Sequence, residues 1–232
     1  MSRNCGIVEY MYTINTRKKI GFPERKEDWA KAPAVFNGGH TLRIGGHPVM
    51  EDWELNYMKK LAQIASSNGG IVLEVGYGLG LSTKAIQSHK IKDHYVIECH
   101  PDVVARCVKD FHQAIGENRL HMFSGFWEDI TPLLSDETFD GILFDTYPLK
   151  EEEIHSNHFW FFGEAHRLLK PGGIFTYYSD EAATFSDQHL AKLKAAGFKK
   201  RNIDYEICHV TPPKNCEYWQ EKTILAPIVR KV

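Results

Sequence analysis

A short β-branched run, Ile71-Val72-Leu73-Glu74-Val75, stops at the glycine series Gly76-Tyr77-Gly78-Leu79-Gly80, and a helix opens directly behind it. No other feature constrains the fold as much. A buried strand that turns through glycines into a helix is the first unit of an open α/β sheet, whose ligands gather at the carboxyl ends of its strands. Glycine lets the backbone turn sharply and approach a ligand where a Cβ would collide. Glu98 ends the next predicted strand, where a carboxylate can accept both hydroxyls of a ribose. The spacing is G-x-G-x-G behind an acid, not the G-x-G-x-x-G that cradles a pyrophosphate. It therefore predicts a nucleoside cofactor without phosphate, with S-adenosylmethionine ahead of a dinucleotide.

The alternation continues downstream. Strands are predicted at 71–75, 94–98, 120–123, 139–144, 174–178, 203–210 and 223–229, with helices from Ser82, over 102–114, over 154–169 and over 189–196. This pattern predicts a doubly wound, mainly parallel seven-stranded sheet covered on both faces. The last two strands lack a helix between them and should form an antiparallel C-terminal hairpin at one edge. Apolar positions at Met50, Trp53, Tyr57, Met58, Leu61 and Ile64 predict a helix over 49–65 with Glu51, Asp52 and Glu54 in its first turn. Residues 1–38 read as an irregular N-terminal arm or lid with one short helix near 27–32, ahead of a main domain over 39–232.

Composition narrows the function. A formal net charge of -2 gives no field for nucleic acid or an anionic membrane, and Arg17-Lys18-Lys19 and Lys199-Lys200-Arg201 are too short to make one. Five cysteines without a CxxC pair (Cys5, Cys99, Cys107, Cys208 and Cys216) fit free thiols in a reducing compartment. With no apolar run of membrane-spanning length and no secretory leader, the expected location is cytoplasmic. His155 and His158 stand three apart with no further ligands at zinc-site spacing, so no metal is expected.

Two further segments should face the same crevice. Trp127-Glu128-Asp129 follows the third strand and reads either as an adenine platform or as a core tryptophan beside a helix-capping acid. Asp145-Thr146-Tyr147-Pro148 ends the fourth strand, close to where a methyl acceptor must sit.

These blocks resemble the guanidinoacetate N-methyltransferase family, creatine-forming class I enzymes with a Rossmann-like fold. The resemblance runs through His40-Thr41-Leu42-Arg43-Ile44, Pro48-Val49-Met50-Glu51, Trp53-Glu54, Ile97-Glu98-Cys99, Asp145-Thr146-Tyr147-Pro148 and Lys170-Pro171-Gly172-Gly173. It implies that Glu54 and Asp145 are the catalytic carboxylates gripping a guanidinium. It also implies that Gly76, Tyr77, Gly78, Leu79, Gly80, Leu81, Ser82, Glu98, Cys99, His100, Trp127, Glu128 and Asp145 line the cofactor, with Trp29, Met50 and Met58 closing over it. Tyr147 would meet the substrate.

After the fifth strand the pattern departs from the family's uncharged segment. Asp180 and Glu181 stand where a substrate carboxylate would be held, and they would suit a second cation instead. The expected partner is a small guanidino compound, either guanidinoacetate or a longer, amine-bearing relative, acted on by a monomer or homodimer. Arginine in a peptide or protein is the alternative acceptor, and a non-catalytic binding protein is the reading from another class. A nicotinamide dehydrogenase is disfavoured by the misplaced third glycine.

Overall fold

A computed structural model describes residues 21–232. Cys5 and the Arg17-Lys18-Lys19 run lie outside the described residues. The described part opens with the short helix α1 (Lys26–Lys31) and a three-stranded antiparallel meander of β1 (Ala34–Asn37), β2 (Thr41–Ile44) and β3 (His47–Glu51). The pairing Val35↔Arg43 joins β1 to β2 across the boundary expected at residue 38.

Leu42 also pairs with Met50. The first residues of the helix expected over 49–65 are therefore strand. Glu51 is extended, Asp52–Glu54 form a 3-10 turn, and α2 starts only at Leu55 (Leu55–Ala65). Met50 falls in phase with the helical series of α2, but its pairing with Leu42 places it in the sheet.

Next come β4 (Ile71–Val75), α3 (Leu81–Ser88), β5 (Asp93–Glu98), α4 (Pro101–Asp110), α5 (His112–Gly116), β6 (Leu120–Ser124), α6 (Trp127–Ile130) and β7 (Phe139–Phe144). The chain closes with α7 (His158–Leu168), β8 (Leu169–Tyr177), α8 (Asp187–Ala195), β9 (Ile203–His209) and β10 (Thr223–Arg230). The sheet order is β6-β5-β4-β7-β8-β10-β9. The five strands from β6 to β8 run parallel, and β10 lies antiparallel to both β8 and β9, so the C-terminal hairpin sits at one edge.

Three boundaries differ from expectation. The helix over 102–114 breaks at Phe111 (φ -118°) into α4 and α5. The helix over 154–169 starts late, because His155 takes φ 59° and interrupts the helical path. The Lys170-Pro171-Gly172-Gly173 breaker lies inside β8, where the pairing with β7 shifts register between Phe139 and Gly141.

Alternating strand residues divide the core. Val72 and Leu143 join Tyr57, Met58 and Leu61 of α2 on one face. Leu73, Val75, Ile142 and Phe144 join Phe161, Phe162 and Phe175 on the other. The first face permits close approach only because β7 carries Gly141, where a Cβ would stand 1.8 Å from the carbonyl oxygen of Ala65. Gly141→Ala is accordingly expected to cost about 1–3 kcal/mol or more by pushing α2 off the sheet. Urea unfolding measures this, and an unchanged midpoint would show that the contact has slack.

Candidate active site

The crevice at the carboxyl ends of β4, β5 and β7 is a cavity of about 590 Å³, within the range of small-molecule sites. Its floor is the glycine loop. Gly76 (φ 93°) follows β4, and a Cβ there would lie 1.8 Å from the carbonyl oxygen of Asp145. Gly78 (φ 55°) is pressed against Met50, whose Sδ would stand 2.9 Å from an added Cβ. The left-handed angles and the close approaches both demand glycine.

The acid ahead of the loop does not enter the cavity. Glu74 is fully buried and accepts hydrogen bonds from Ser82 and from Thr83 at 2.7 Å, with His94 Nε2 at 3.1 Å. It clamps the start of α3 to β4 and β5, so the acid of the motif serves as an anchor within the fold.

Glu98 is on the wall. Its Oε2 accepts from the Tyr77 N–H at 3.0 Å and its Oε1 from the His100 N–H at 2.8 Å, which fixes the carboxylate while leaving lone pairs on both oxygens. Trp127 opens α6 beside the cavity, edge-on to Phe144 and Phe161 at 6.0 and 5.2 Å. Glu128 lies at the same rim, with Lys26 Nζ 3.6 Å away. Trp29 stacks on Tyr147 (4.9 Å, 7°), so the N-terminal segment forms one wall.

Two carboxylates lie at the acceptor end. Glu54, 2% exposed at the end of the 3-10 turn, accepts on Oε1 from the Glu51 N–H at 2.8 Å and the Tyr218 hydroxyl at 2.5 Å. Burial, with the Asp145 charge second, pushes its pKa up to about 8. Asp145 ends β7, its N–H donated to the Val75 carbonyl at 2.9 Å. Removal from water raises its pKa to about 7, and the charges of Asp180 and Glu74 add to the shift. Both groups are held toward neutrality, and a cation entering the cavity would favour their ionised forms.

Most of the expected site residues meet here. Gly76, Gly78, Glu98, Cys99, Trp127 and Glu128 line the cavity together with Trp29 and Met50. So do Glu54, Asp145, Tyr147 and Asp180. Others stand behind this wall. Met58 packs in the core, the Tyr77 hydroxyl turns to Asp110 at 3.2 Å, and Ser82 serves Glu74. Leu79, Gly80 and Leu81 complete the turn into α3. His100 caps α4 by accepting from the Asp102 N–H at 3.2 Å, while its Nε2 donates to the Ala32 carbonyl at 2.7 Å. Glu181 turns away to the Ser186 N–H at 3.0 Å and to His189.

Sequence reasoning missed Tyr178, His158 and Tyr218, which also line the cavity. The doublet Tyr177-Tyr178 at the end of β8 was the available signal for the first. Tyr218 reaches Glu54 across 164 residues of sequence and announces itself in no pattern. Among the described residues no cluster of His, Cys, Asp and Glu could hold a metal ion, and no helix is long and apolar enough to cross a membrane. The wall fits S-adenosylmethionine: a glycine cradle, an anchored carboxylate for a ribose, an aromatic platform, and no arginine to pair a phosphate among the described lining residues.

A family model described as guanidinoacetate N-methyltransferase matches residues 22–232. Protein arginine N-methyltransferase 2 of Aspergillus oryzae is 26% identical over 97% of this chain and 56% of its own length. The protein of the same name from Yarrowia lipolytica is 36% identical over 56% of this chain and 28% of its own. The chain thus spans between about a quarter and somewhat over half of these curated relatives. Among solved structures, Thermotoga maritima spermidine synthase superposes with a TM-score of 0.60 at 16% identity, covering 86% of this chain and 68% of that one. TYW2 of M. jannaschii, in complex with AdoMet, gives 0.56 at 14% identity, covering 87% of each chain. The fold is that of the class I methyltransferases.

The raised carboxyls set a pH dependence of stability. Folded Glu54 and Asp145 hold protons up to about pH 8 and 7 that the unfolded chain has already lost, so stability falls as pH rises from the ordinary carboxylate range through those values. Urea titrations across this window should show the loss, and Glu54→Gln should reduce it. A wild-type profile flat with pH would mean that the two acids are ionised in the folded protein.

Proposed function

We propose that this chain, which belongs to the guanidinoacetate N-methyltransferase family, methylates a guanidino nitrogen. The observation that carries this reading is the pair Glu54 and Asp145, two desolvated carboxylates facing one cavity beside the glycine loop. S-adenosylmethionine, the family's cofactor, supplies a methyl group on a sulfonium centre.

A guanidinium has a pKa of about 12.5–13.8 and enters protonated, with no free lone pair. Its fork of N–H groups matches paired carboxylates. Glu54 spends Oε1 on the Glu51 N–H and the Tyr218 hydroxyl and keeps Oε2 for the substrate. Arrival of the cation favours the ionised form of both acids, so binding releases protons near neutral pH. One proton must leave the nitrogen for each methyl gained. Asp145, with a pKa near working pH and no hydrogen bond to its carboxylate among the described residues, is placed to take it.

Guanidinoacetate, giving creatine, is the acceptor in the family's name. Arginine within a polypeptide is a second reading, favoured by the names of the curated relatives.

Incubation with S-adenosylmethionine and guanidinoacetate, agmatine, arginine or an arginine peptide, read by mass spectrometry, tests the reading. Methylation of at least one is expected, and Asp145→Asn should lower kcat by at least about 100-fold while cofactor binding, followed by equilibrium dialysis, persists. Methylation unaffected by Asp145→Asn would remove that residue from proton transfer, and no product from any acceptor would favour a binding protein.

A further inference from the structure

Strain and unmet hydrogen bonds converge on one part of the cavity lining. Only five non-glycine residues among those described have a left-handed backbone, and three of them, Glu24, His155 and Asp180, line this one cavity. His155 (φ 59°) and Asp180 (φ 54°) face each other, with Nδ1 3.1 Å from Oδ1. Strained backbone persists where surrounding structure holds it, and it concentrates at ligand sites. The strain here turns Asp180 toward the cavity while Glu181, its neighbour, turns away to Ser186 and His189.

The second observation is His158. It lines the same cavity, is 1% exposed, and neither ring nitrogen has a hydrogen-bond partner among the described residues. Burial pushes its pKa down to about 3, with Asp180 the strongest charge acting on it. The ring is therefore neutral at physiological pH and keeps one nitrogen as an acceptor. The Tyr178 hydroxyl is likewise buried without a partner, under the charges of Glu54, Asp180 and Asp145. Unmatched buried polar groups are rare in folded proteins, and a polar ligand is one way to satisfy them.

A carboxylate beside a neutral imidazole is an acceptor set for an N–H-rich cation. A substrate carboxylate in the same place would face like charge from Asp180 and find no cationic donor in His158. Resting on the guanidino reading above, we propose that Asp180 and His158 form a second subsite, for an ammonium group. The acceptor is then a small guanidine bearing a second, amino-type cation, not a guanidino acid. His155 acts as a positioning residue that holds the Asp180 carboxylate.

Three acceptors of matched length separate the possibilities: agmatine with a terminal amine, 4-guanidinobutyrate with a carboxylate, and butylguanidine with neither. With S-adenosylmethionine saturating, kcat/KM should fall in that order, agmatine exceeding butylguanidine by about tenfold or more, mainly through KM. Asp180→Asn keeps a residue that tolerates the left-handed backbone, and should bring the agmatine-to-butylguanidine ratio close to one. His158→Phe, similar in size and apolar, should lower the same ratio. Butylguanidine or 4-guanidinobutyrate preferred over agmatine, or a ratio indifferent to Asp180→Asn, would overturn the subsite and leave guanidino methylation standing. A blocked arginyl-lysine dipeptide turned over ten times faster than agmatine would place the amine on a peptide and overturn the small-molecule form. Methylation of no guanidine would overturn the parent reading, and the subsite with it.

Discussion

The whole site depends on how closely β4 and β7 approach at their carboxyl ends. The carbonyl oxygen of Asp145 occupies the space in which a side chain at Gly76 would begin. The Asp145 N–H is tied to Val75, and the Gly76 N–H to Ile97 of β5. Three strand ends are thereby locked at one point, and the Asp145 carboxylate is held at a fixed offset from the glycine loop. Catalysis by positioning requires that kind of fixed offset, since small displacements of reacting groups are costly.

A second constraint is electrostatic. Glu54, Asp145 and Asp180 face a shared, poorly hydrated space, and the first two carry raised pKa values because of it. Concentrating like charge in this way destabilises the empty fold and prepares it for cations. The core compensates. Phe144, Phe161, Phe162 and Phe175 make a continuous aromatic cluster directly behind the Asp145 strand end, on the opposite face from α2.

Much of this was legible in the sequence, and the limits have physical causes. The parallel sheet announced itself through β-branched runs ending in glycine or acid, because strands buried on both faces have few other compositions open to them. Glu98 and Asp145 were readable for the same reason, as polar stops on apolar strands. The β1–β3 meander was not, since its short strands depend on pairing across turns that local periodicity does not encode. Nor was the work of Glu74, whose motif position suggests a ligand contact but whose carboxylate is consumed by Ser82, Thr83 and His94. His158 drew notice only as half of a pair too sparse for a metal, because helical phase says nothing about the cavity beyond the helix end. The opposite fates of Asp180 and Glu181 turn on one left-handed residue, and a dihedral angle is invisible in a string of letters.

The division of labour across the sheet has an evolutionary consequence. One wall of the cavity comes from the β4, β5 and β6 side, whereas the other is built from the 3-10 turn, the β7 and β8 ends and the segment around Tyr218. The segment after β8 is moored independently, with the Leu225 N–H donated to the Glu181 carbonyl at 2.8 Å and the Ser179 hydroxyl to the Leu225 carbonyl at 2.8 Å. Insertions, deletions or charge reversals there leave the glycine loop and Glu98 untouched. A lineage with this architecture can therefore remodel one end of the cavity by drift in a single surface-proximal segment, and inherit the other end unchanged.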